Sequence, residues 1–242
     1  MNETMYLLVI LTTFIATAVN TITGFGFSII AVAVFSLGLP VHLSVSLSNM
    51  ITLALNAILT GLRVRSIRWK YLAIPLAISL VIGFLCICFV GDLSTSLFKR
   101  FLGLFLIFLS LYFLFFSEQA RIKPTVYNGV LMGALSGLFQ GLFGMGGPPM
   151  VLYYFSCTGE KEEYMGTLQV HFFITNICMI AFRIYAGLVP VDCGYLFLVS
   201  LVPMLFAIRL GSKCFRMLSE ETLHKVIYFF IMSCGVYYIV IG

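Results

Sequence analysis

Long apolar stretches, separated by short polar or glycine-containing segments, run through the whole chain. The ten stretches are 5–23, 28–39, 41–62, 69–90, 97–116, 125–142, 148–157, 164–187, 192–211 and 222–241. Eight of them approach or reach the length of about 20 residues that a helix needs to cross a bilayer. No Lys or Arg precedes the first stretch, so we expect a retained helix there and not a signal peptide. The pattern predicts an all-α polytopic membrane protein with eight full-length spans and two short, broken or re-entrant helices.

A glycine break precedes each of the two short stretches. Gly24-Phe25-Gly26 precedes the first, and Gly144-Met145-Gly146-Gly147 precedes the second. Proline disfavours helix just before it but suits the first turn of a helix, so one helix is predicted to end near Leu142 and another to begin at Pro148. A glycine loop in front of a helix N-terminus is a way to hold an anion. The alternative is a tight turn between two helices, although irregular backbone at membrane depth needs protein or a water-filled cavity to satisfy it.

The matching places of the short stretches predict an internal repeat. The first transmembrane repeat covers 1–117, a cytoplasmic linker 118–123, and the second repeat 124–242. In each half the long stretch after the short one carries a polar residue every seven positions, close to two helical turns, which forms one polar stripe. The stripes are His42, Asn49, Asn56 and Arg63 in the first half and Gln169, Asn176 and Arg183 in the second. A shift of 127 residues (176 − 49) superimposes the two stripes.

The distribution of Lys and Arg predicts the orientation in the membrane, because cytoplasmic loops are enriched in both. The segment 63–70 is the densest basic cluster and is therefore assigned to the cytoplasm. Alternating the segments then places eleven of the 14 Lys and Arg on that side, with both termini outside. Five segments in each half make the halves inverted relative to each other. Inverted repeats with broken helices are a recurring design of secondary transporters, with the binding site near the midplane.

Composition narrows the function further. The chain is 61% hydrophobic and only 10% charged, whereas a soluble domain has about 25% charged residues. The net charge of +5 belongs to the membrane topology and does not indicate nucleic-acid binding. The sequence shows no Ser/His/Asp set, no His-x-x-x-His motif, no paired intramembrane carboxylates and no cluster with metal-ligand spacing. We therefore predict no enzyme activity, no cofactor and no metal site.

Uncharged polar side chains near the two breaks are the candidates for anion binding, because they avoid the cost of a permanent charge at membrane depth. The alternative for each of them is a hydrogen bond between helices. We also expect the backbone amides from Gly144 to Gly147 to face the anion. The predicted substrate-binding residues are Asn20, Thr23, Gly24, Gly26, Ser28, Asn49, Gln140, Gly144, Gly146, Gly147, Gln169, Asn176 and Arg183.

Two further residues and one glycine series have alternative interpretations. Arg183 either reaches the membrane interface or acts as a cation at the mouth of the cavity. His171 is either a hydrogen-bonded core residue or a residue that couples transport to protons. The Asp and Glu residues fall in loops or at the ends of stretches, which argues against an acidic proton relay. Gly133, Gly137 and Gly141 repeat every four residues and predict a face for close helix contact.

Two motifs around the breaks resemble those of the TauE/SafE family, described as sulfite exporters. They are Thr23-Gly24-Phe25-Gly26-Phe27-Ser28 and Ser136-Gly137-Leu138-Phe139-Gln140-Gly141-Leu142-Phe143-Gly144-Met145-Gly146-Gly147, and the resemblance covers nearly the whole chain. In the first motif, Ser28 and Ile29 stand where glycines would be expected. The resemblance implies a secondary transporter, acting as an exporter of small organosulfur or related anions such as sulfite or sulfonates, in the plasma membrane of a prokaryote.

The alternatives are an anion channel and a carrier for small carboxylates or other organic anions. The predicted partners are a small anionic substrate and the lipid bilayer, and a homo-oligomer is left open.

Overall fold

The computed structural model is all-helical in the residues that it describes, which are 3–90, 94–116, 122–211 and 220–241. Its α-helices are α1 (Glu3–Thr23), α2 (Phe27–Gly38), α3 (Val41–Gly61), α4 (Trp69–Val90), α5 (Thr95–Phe116), α6 (Val126–Phe143), α7 (Gly147–Cys157), α8 (Lys161–Tyr185), α9 (Asp192–Phe206) and α10 (Glu220–Ile241). A π-helical segment, Ala207–Gly211, continues α9. Most of the predicted linker 118–123 lies outside the described residues.

Local signals place the helix ends close to where the sequence predicts them. α6 ends at Phe143, and α7 begins at Gly147 with prolines in its first turn. Gly144 closes α6 in the left-handed conformation, with φ 73°, which glycine adopts without a steric penalty. The short stretches 28–39 and 148–157 are the helices α2 and α7, of 12 and 11 residues.

Seven helices in the described part of the chain are long and apolar enough to cross a membrane. They are α1, α3, α4, α5, α6, α8 and α9. Together with the absence of strands from the described ranges, this agrees with a polytopic helical membrane protein. In α10 the described apolar part is Tyr228–Val240, which is shorter than a full span. The eighth full-length span therefore stays a prediction.

Around the two breaks, the helix starts are 120 residues apart, whereas the polar stripes predict an offset of 127. α2 and α7 begin at Phe27 and Gly147 (147 − 27 = 120), and α3 and α8 begin at Val41 and Lys161 (161 − 41 = 120). This offset differs by seven residues from the register predicted from the stripes. A stripe with a period of seven superimposes on itself after a slip of seven, so the stripes alone do not fix the register.

An offset of 120 changes which polar residues correspond. Asn20 now corresponds to Gln140, Asn49 to Gln169, Asn56 to Asn176 and Arg63 to Arg183. Around the breaks, Gly24 corresponds to Gly144 and Gly26 to Gly146.

Most helix contacts are paired under this correspondence, although α10 also contacts α2. α1 packs against α2 and α9, and α6 packs against α7 and α4. α3 also contacts α9, and α4 contacts α8. α3 packs against α8, and α5 packs against α10. α3 and α8, the two striped helices, are the most buried of the long helices and form the centre of the bundle.

The predicted small-residue face of α6 packs closely against α4, which confirms that prediction. A Cβ atom built on Gly133, Gly137 or Gly141 would come within 2.6–2.7 Å of a backbone carbonyl oxygen of α4. Real side-chain carbons do not approach that closely, so only glycine allows the two backbones to meet here. This contact fixes α6, and with it the second glycine break, against the first half of the chain.

Candidate functional site

The second glycine break is held by a buried network of neutral hydrogen bonds around Gln140. The backbone N–H of Gly146 donates to Gln140 Oε1 at 2.7 Å, and Gln140 Nε2 donates to Asn176 Oδ1 at 3.2 Å. Asn176 Nδ2 in turn donates to the carbonyl of Phe172 at 2.8 Å. The hydroxyl of Ser136 donates to the carbonyl of Gly146 at 2.7 Å. Gln140 on α6, supported by Asn176 on α8, thus holds the loop in place.

This network bears on the expectation that the amides from Gly144 to Gly147 face the anion, because three of these four N–H groups already have acceptors within the protein. The N–H of Gly144 donates to Gln140 O at 2.9 Å, and that of Met145 donates to Phe139 O at 3.2 Å. The N–H of Gly146 is bound by the side chain of Gln140. The chain folds back on α6 in a tight capping turn, so most of these donors are satisfied within the protein.

At the first break, Asn20 takes the place that Gln140 has at the second. Asn20 Oδ1 accepts a hydrogen bond from the N–H of Phe27 at 3.4 Å, while Asn20 Nδ2 is buried without a partner. Gln169 Nε2, from α8, donates to the carbonyl of Gly24 at 2.9 Å. Thr23 Oγ1 donates to backbone carbonyls of its own turn, including that of Val19 at 2.9 Å. Each break is therefore braced by a striped helix.

A cavity of about 20 Å³ lies between the two breaks. Its lining comes from both halves, and five pairs of lining residues are 120 positions apart. These pairs are Asn20 and Gln140, Phe25 and Met145, Gly26 and Gly146, Phe27 and Gly147, and Thr52 and Phe172. Ser28, Ile29 and Asn176 complete the lining, which contains no charged residue. The volume is enough for about one water molecule.

Seven of the predicted binding residues line this cavity, and six do not. Those in the lining are Asn20, Gly26, Ser28, Gln140, Gly146, Gly147 and Asn176. Thr23, Gly24 and Gln169 lie just behind the first break, where they bond to it. Asn49 is fully buried beside Gly144, and neither of its side-chain polar atoms has a partner.

The residues that sequence reasoning missed are mainly aromatic or apolar. Phe25, Phe27, Met145 and Phe172 line the cavity, but an apolar residue in an apolar chain gives no signal of a site. Thr52 was also missed. Its hydroxyl donates to Ser48 O at 2.7 Å and lies 3.2 Å from Ser28 Oγ, so Ser28 is the donor between the two hydroxyls. Its position three residues after Asn49 could have indicated that it faces the breaks.

Arg183 and His171 are both buried and both outside the cavity lining. Arg183 is 1% exposed, and its Nη2 donates to the carbonyl of Gly141 at 2.7 Å, so the alternative that it reaches the membrane interface is wrong. His171 Nδ1 lies 2.9 Å from the hydroxyl of Tyr154 on α7. That geometry is the one expected of a hydrogen-bonded core histidine.

A second, larger cavity of about 870 Å³ opens beside the first break. We call it the vestibule; its lining includes Thr23, Phe25, Lys123, Glu160 and Lys161. Phe25 lines both the vestibule and the small cavity, so the two spaces meet at this residue. On the other side, Met145 and Phe143 belong to a buried apolar cluster that also contains Val45 and Phe98. The small cavity is thus close to open space at one end and packed at the other.

Comparison with known proteins identifies the family. The model of the sulfite exporter TauE/SafE family matches residues 9–238. The chain is 24% identical over 228 residues to a protein of Cupriavidus necator named "Probable sulfite/organosulfonate exporter TauE", which covers 89% of this chain and 86% of that protein. No solved structure matches the chain. The chain is a multi-pass membrane transporter and not an enzyme, and it belongs to the TauE/SafE family.

Proposed function

We propose that the protein is a secondary carrier that exports a small organosulfur oxyanion, such as sulfite or a sulfonate, and that the anion binds in the cavity between the two glycine breaks. The observation that carries the proposal is the lining itself: matched residues from both halves surround one uncharged, polar space. Family membership and the name of the Cupriavidus necator relative support the substrate class.

The donors for the anion come mainly from the first half. Asn20 Nδ2 is a buried donor without a partner at the cavity. The first turn of α2 includes Ser28 and Ile29, whose N–H groups have no acceptor within the helix, whereas Pro148 and Pro149 at the start of α7 have no N–H at all. The α2 N-terminus carries about half a positive charge, which favours an anion. We therefore assign the anion to the α2 side of the cavity.

The proposed carrier works through two inverted repeats. In such a repeat each of α1 to α5 corresponds to the helix five places later, α6 to α10. The α1–α9 contact then corresponds to the α6–α4 contact, and the α3–α9 contact to the α8–α4 contact. The α3–α8 and α5–α10 contacts correspond to themselves. A two-fold axis through the α3–α8 pair accounts for all of these contacts. It would also pass the small cavity, whose lining is paired in the same way.

The difference between the two ends of the cavity suggests alternating access. The vestibule reaches Phe25, and the position that corresponds to Phe25 in the other half, Met145, is buried at 1% exposure. We infer that the structure represents the state open toward Lys123 and Lys161, the predicted cytoplasmic end. In the opposite state, the apolar cluster around Met145 separates and Phe25 closes the vestibule. At about 20 Å³ the cavity admits sulfite only after a lining side chain, most directly the Phe25 ring, turns aside.

The closed end favours a carrier over an anion channel, and counterflow tests the distinction. Proteoliposomes that contain the purified protein are loaded with unlabelled sulfite and diluted into a trace of radiolabelled sulfite. A carrier gives transient accumulation of label above equilibrium, because exchange continues through the same alternating site. A channel lets the gradients collapse without such an overshoot. Loading with acetate in place of sulfite tests the carboxylate alternative, which an overshoot of similar size would support.

Gly147→Ala tests the location of the site. A Cβ atom on Gly147 would lie 3.7 Å from Phe25 and 3.8 Å from Phe172, so a methyl group fits without a clash but fills part of the cavity. We expect sulfite counterflow to fall about tenfold, equivalent to about 1.4 kcal/mol of binding free energy. Gly194→Ala on α9 is the matched control, because a Cβ atom there has no neighbour within 4 Å. Equal transport by both variants would place the anion site elsewhere.

A further inference from the structure

Arg183 is a buried cation whose hydrogen-bonding capacity is largely unused. Its Nη2 donates to Gly141 O, one of the last carbonyls of α6, which have no partner within the helix. Its Nε and Nη1 are buried and have no partner. A guanidinium carries five N–H donors in a planar fork, so one bond to a neutral carbonyl leaves most of them unsatisfied. In the described part of the chain, no carboxylate forms an ion pair with it.

In the first half of the chain, the arginine that corresponds to Arg183 has a carboxylate partner. With the offset of 120, Arg63 corresponds to Arg183, and Glu162 corresponds to His42. Arg63 Nε and Glu162 Oε2 form an ion pair at 3.0 Å between the end of α3 and the start of α8. At the opposite end of the same helix pair, the hydroxyl of Ser46 donates to Leu188 O at 3.1 Å, which places the half-buried His42 at the end of α8 that carries Arg183. Histidine cannot supply the negative charge that Glu162 supplies to Arg63.

Among the described residues, basic side chains and no ion-paired carboxylate are found near Arg183 and His42. The His42 ring lies 6.1 Å from the ring of Phe98 on α5, which brings the adjacent Lys99 and Arg100 to the same end of the bundle. Lys99 is partly buried and Arg100 is exposed. Basic residues around a recess raise the local concentration of anions.

We propose that a small oxyanion binds at Arg183 and His42 and takes the place that the carboxylate of Glu162 occupies at Arg63. The planar guanidinium of an arginine can bind two oxygens of an oxyanion at once. Burying a guanidinium without a counter-ion costs free energy, so an anion bound at Arg183 would stabilise the protein. The site is separate from the central cavity, because neither residue lines that cavity. The choice of sulfite as the probe anion rests on the proposed function, whereas the need for an anion at Arg183 does not.

Binding stoichiometry tests this second site. Equilibrium dialysis of the purified full chain against radiolabelled sulfite is expected to give two anions per chain for the parent. His42→Glu supplies an internal carboxylate opposite Arg183 and is expected to reduce the stoichiometry to one. His42→Gln is the matched control: it also removes the imidazole but adds no charge, so a loss of the second anion that exceeds the loss in His42→Gln is due to the new carboxylate. Arg183→Gln should also lose one anion, but it removes the cap of α6 as well, so the His42 pair is the decisive comparison.

The outcomes separate this proposal from the proposed function. Two sites in His42→Glu, or equal loss in His42→Glu and His42→Gln, overturns the second site. The second site is also overturned if the parent binds a single anion and this binding is unaffected by His42→Glu but weakened by Gly147→Ala. In that case the central site remains supported. A parent that binds one anion, lost in His42→Glu and retained in Gly147→Ala, supports the Arg183 site and refutes the central one. No bound anion in the parent overturns both.

Discussion

Among single residues, Gln140 has the largest influence on the shape of the cavity. Gln140 is 4% exposed, and both polar atoms of its side-chain amide are hydrogen-bonded within the protein. Its Oε1 accepts from the Gly146 N–H, and its Nε2 donates to Asn176. Buried polar groups are nearly always paired, and a neutral pair at membrane depth avoids the cost of burying a charge. Gln140 therefore ties the loop to α8, whereas its counterpart Asn20 keeps an unpaired donor in the lining of the cavity.

Asn176→Ala should weaken anion binding without unfolding the protein. The change removes a polar group from the cavity lining and leaves Gln140 Nε2 without its acceptor. We expect the affinity for sulfite to fall about tenfold, or by about 1.4 kcal/mol, as measured by equilibrium dialysis, because Gln140 and the Gly146 loop lose their connection to α8 and no longer hold the cavity lining in place.

Asn128→Ala is the control, because Asn128 is also hydrogen-bonded but lies far from the cavity, near the start of α6, with its Nδ2 donating to Lys123 O at 2.9 Å. Equal affinities of Asn176→Ala, Asn128→Ala and the parent would mean that Asn176 only joins helices and does not contribute to the site.

Among the elements, the α4–α6 contact shows how strongly glycine spacing determines helix packing. The backbones approach so closely that Ser79 Oγ, on α4, donates to the carbonyl of Gly133 on α6 at 2.9 Å. Such approach gives van der Waals contact and polar bonds between helices in an environment where lipid removes the hydrophobic driving force. The contact also connects the second break to the first half, because α6 ends at that break.

Gly137→Ala should destabilise the bundle through this contact. Its Cβ atom would lie 2.6 Å from Ser79 O, a backbone atom that cannot move without shifting α4. We expect the free energy of unfolding to fall by about 1–3 kcal/mol, read as a lower midpoint in thermal unfolding of the detergent-solubilised protein. Gly194→Ala should be neutral or slightly stabilising, since it adds a methyl group in open space and improves helix propensity. The same unfolding midpoint for both variants would contradict the close contact.

The elements also show what the sequence could predict and what it could not. Glycine and proline are local signals, and they predicted the ends of α6 and the start of α7 to within one residue. The register between the halves could not be fixed from the sequence, because the polar stripes repeat every seven residues and tolerate a slip of that length. Side chains that bond across the bundle, such as Gln140 to Asn176 or Arg183 to Gly141, depend on tertiary packing that no local pattern encodes. For the same reason, the engagement of the Gly146 amide could not be predicted.

In the whole molecule, the two ends of the bundle differ although the helices correspond. The end with the vestibule carries the Arg63–Glu162 ion pair and a second pair between Arg68 and Glu163. The other end has apolar packing around Phe143 and Met145 and the uncompensated Arg183. The ion pairs reflect differences in sequence between the halves, since His42 stands where Glu162 stands in the other half. The apolar packing is a matter of conformation, and in the proposed carrier we expect the second conformation to open the cluster around Met145 and to close the space beside Phe25.

The orientation of these ends in the membrane can be tested by labelling from each side. In a variant with the seven native cysteines replaced, a single cysteine is introduced at Ser66, in the basic segment, or at Val191, which is 96% exposed before α9. An impermeant maleimide should label Val191→Cys in intact cells and Ser66→Cys only in inside-out vesicles, because the basic segment is held in the cytoplasm. The opposite result would turn the vestibule outward and make the structure the state that takes up an anion from outside. Labelling of both positions from the same side would rule out the odd number of passes between them, and with it the inverted repeat.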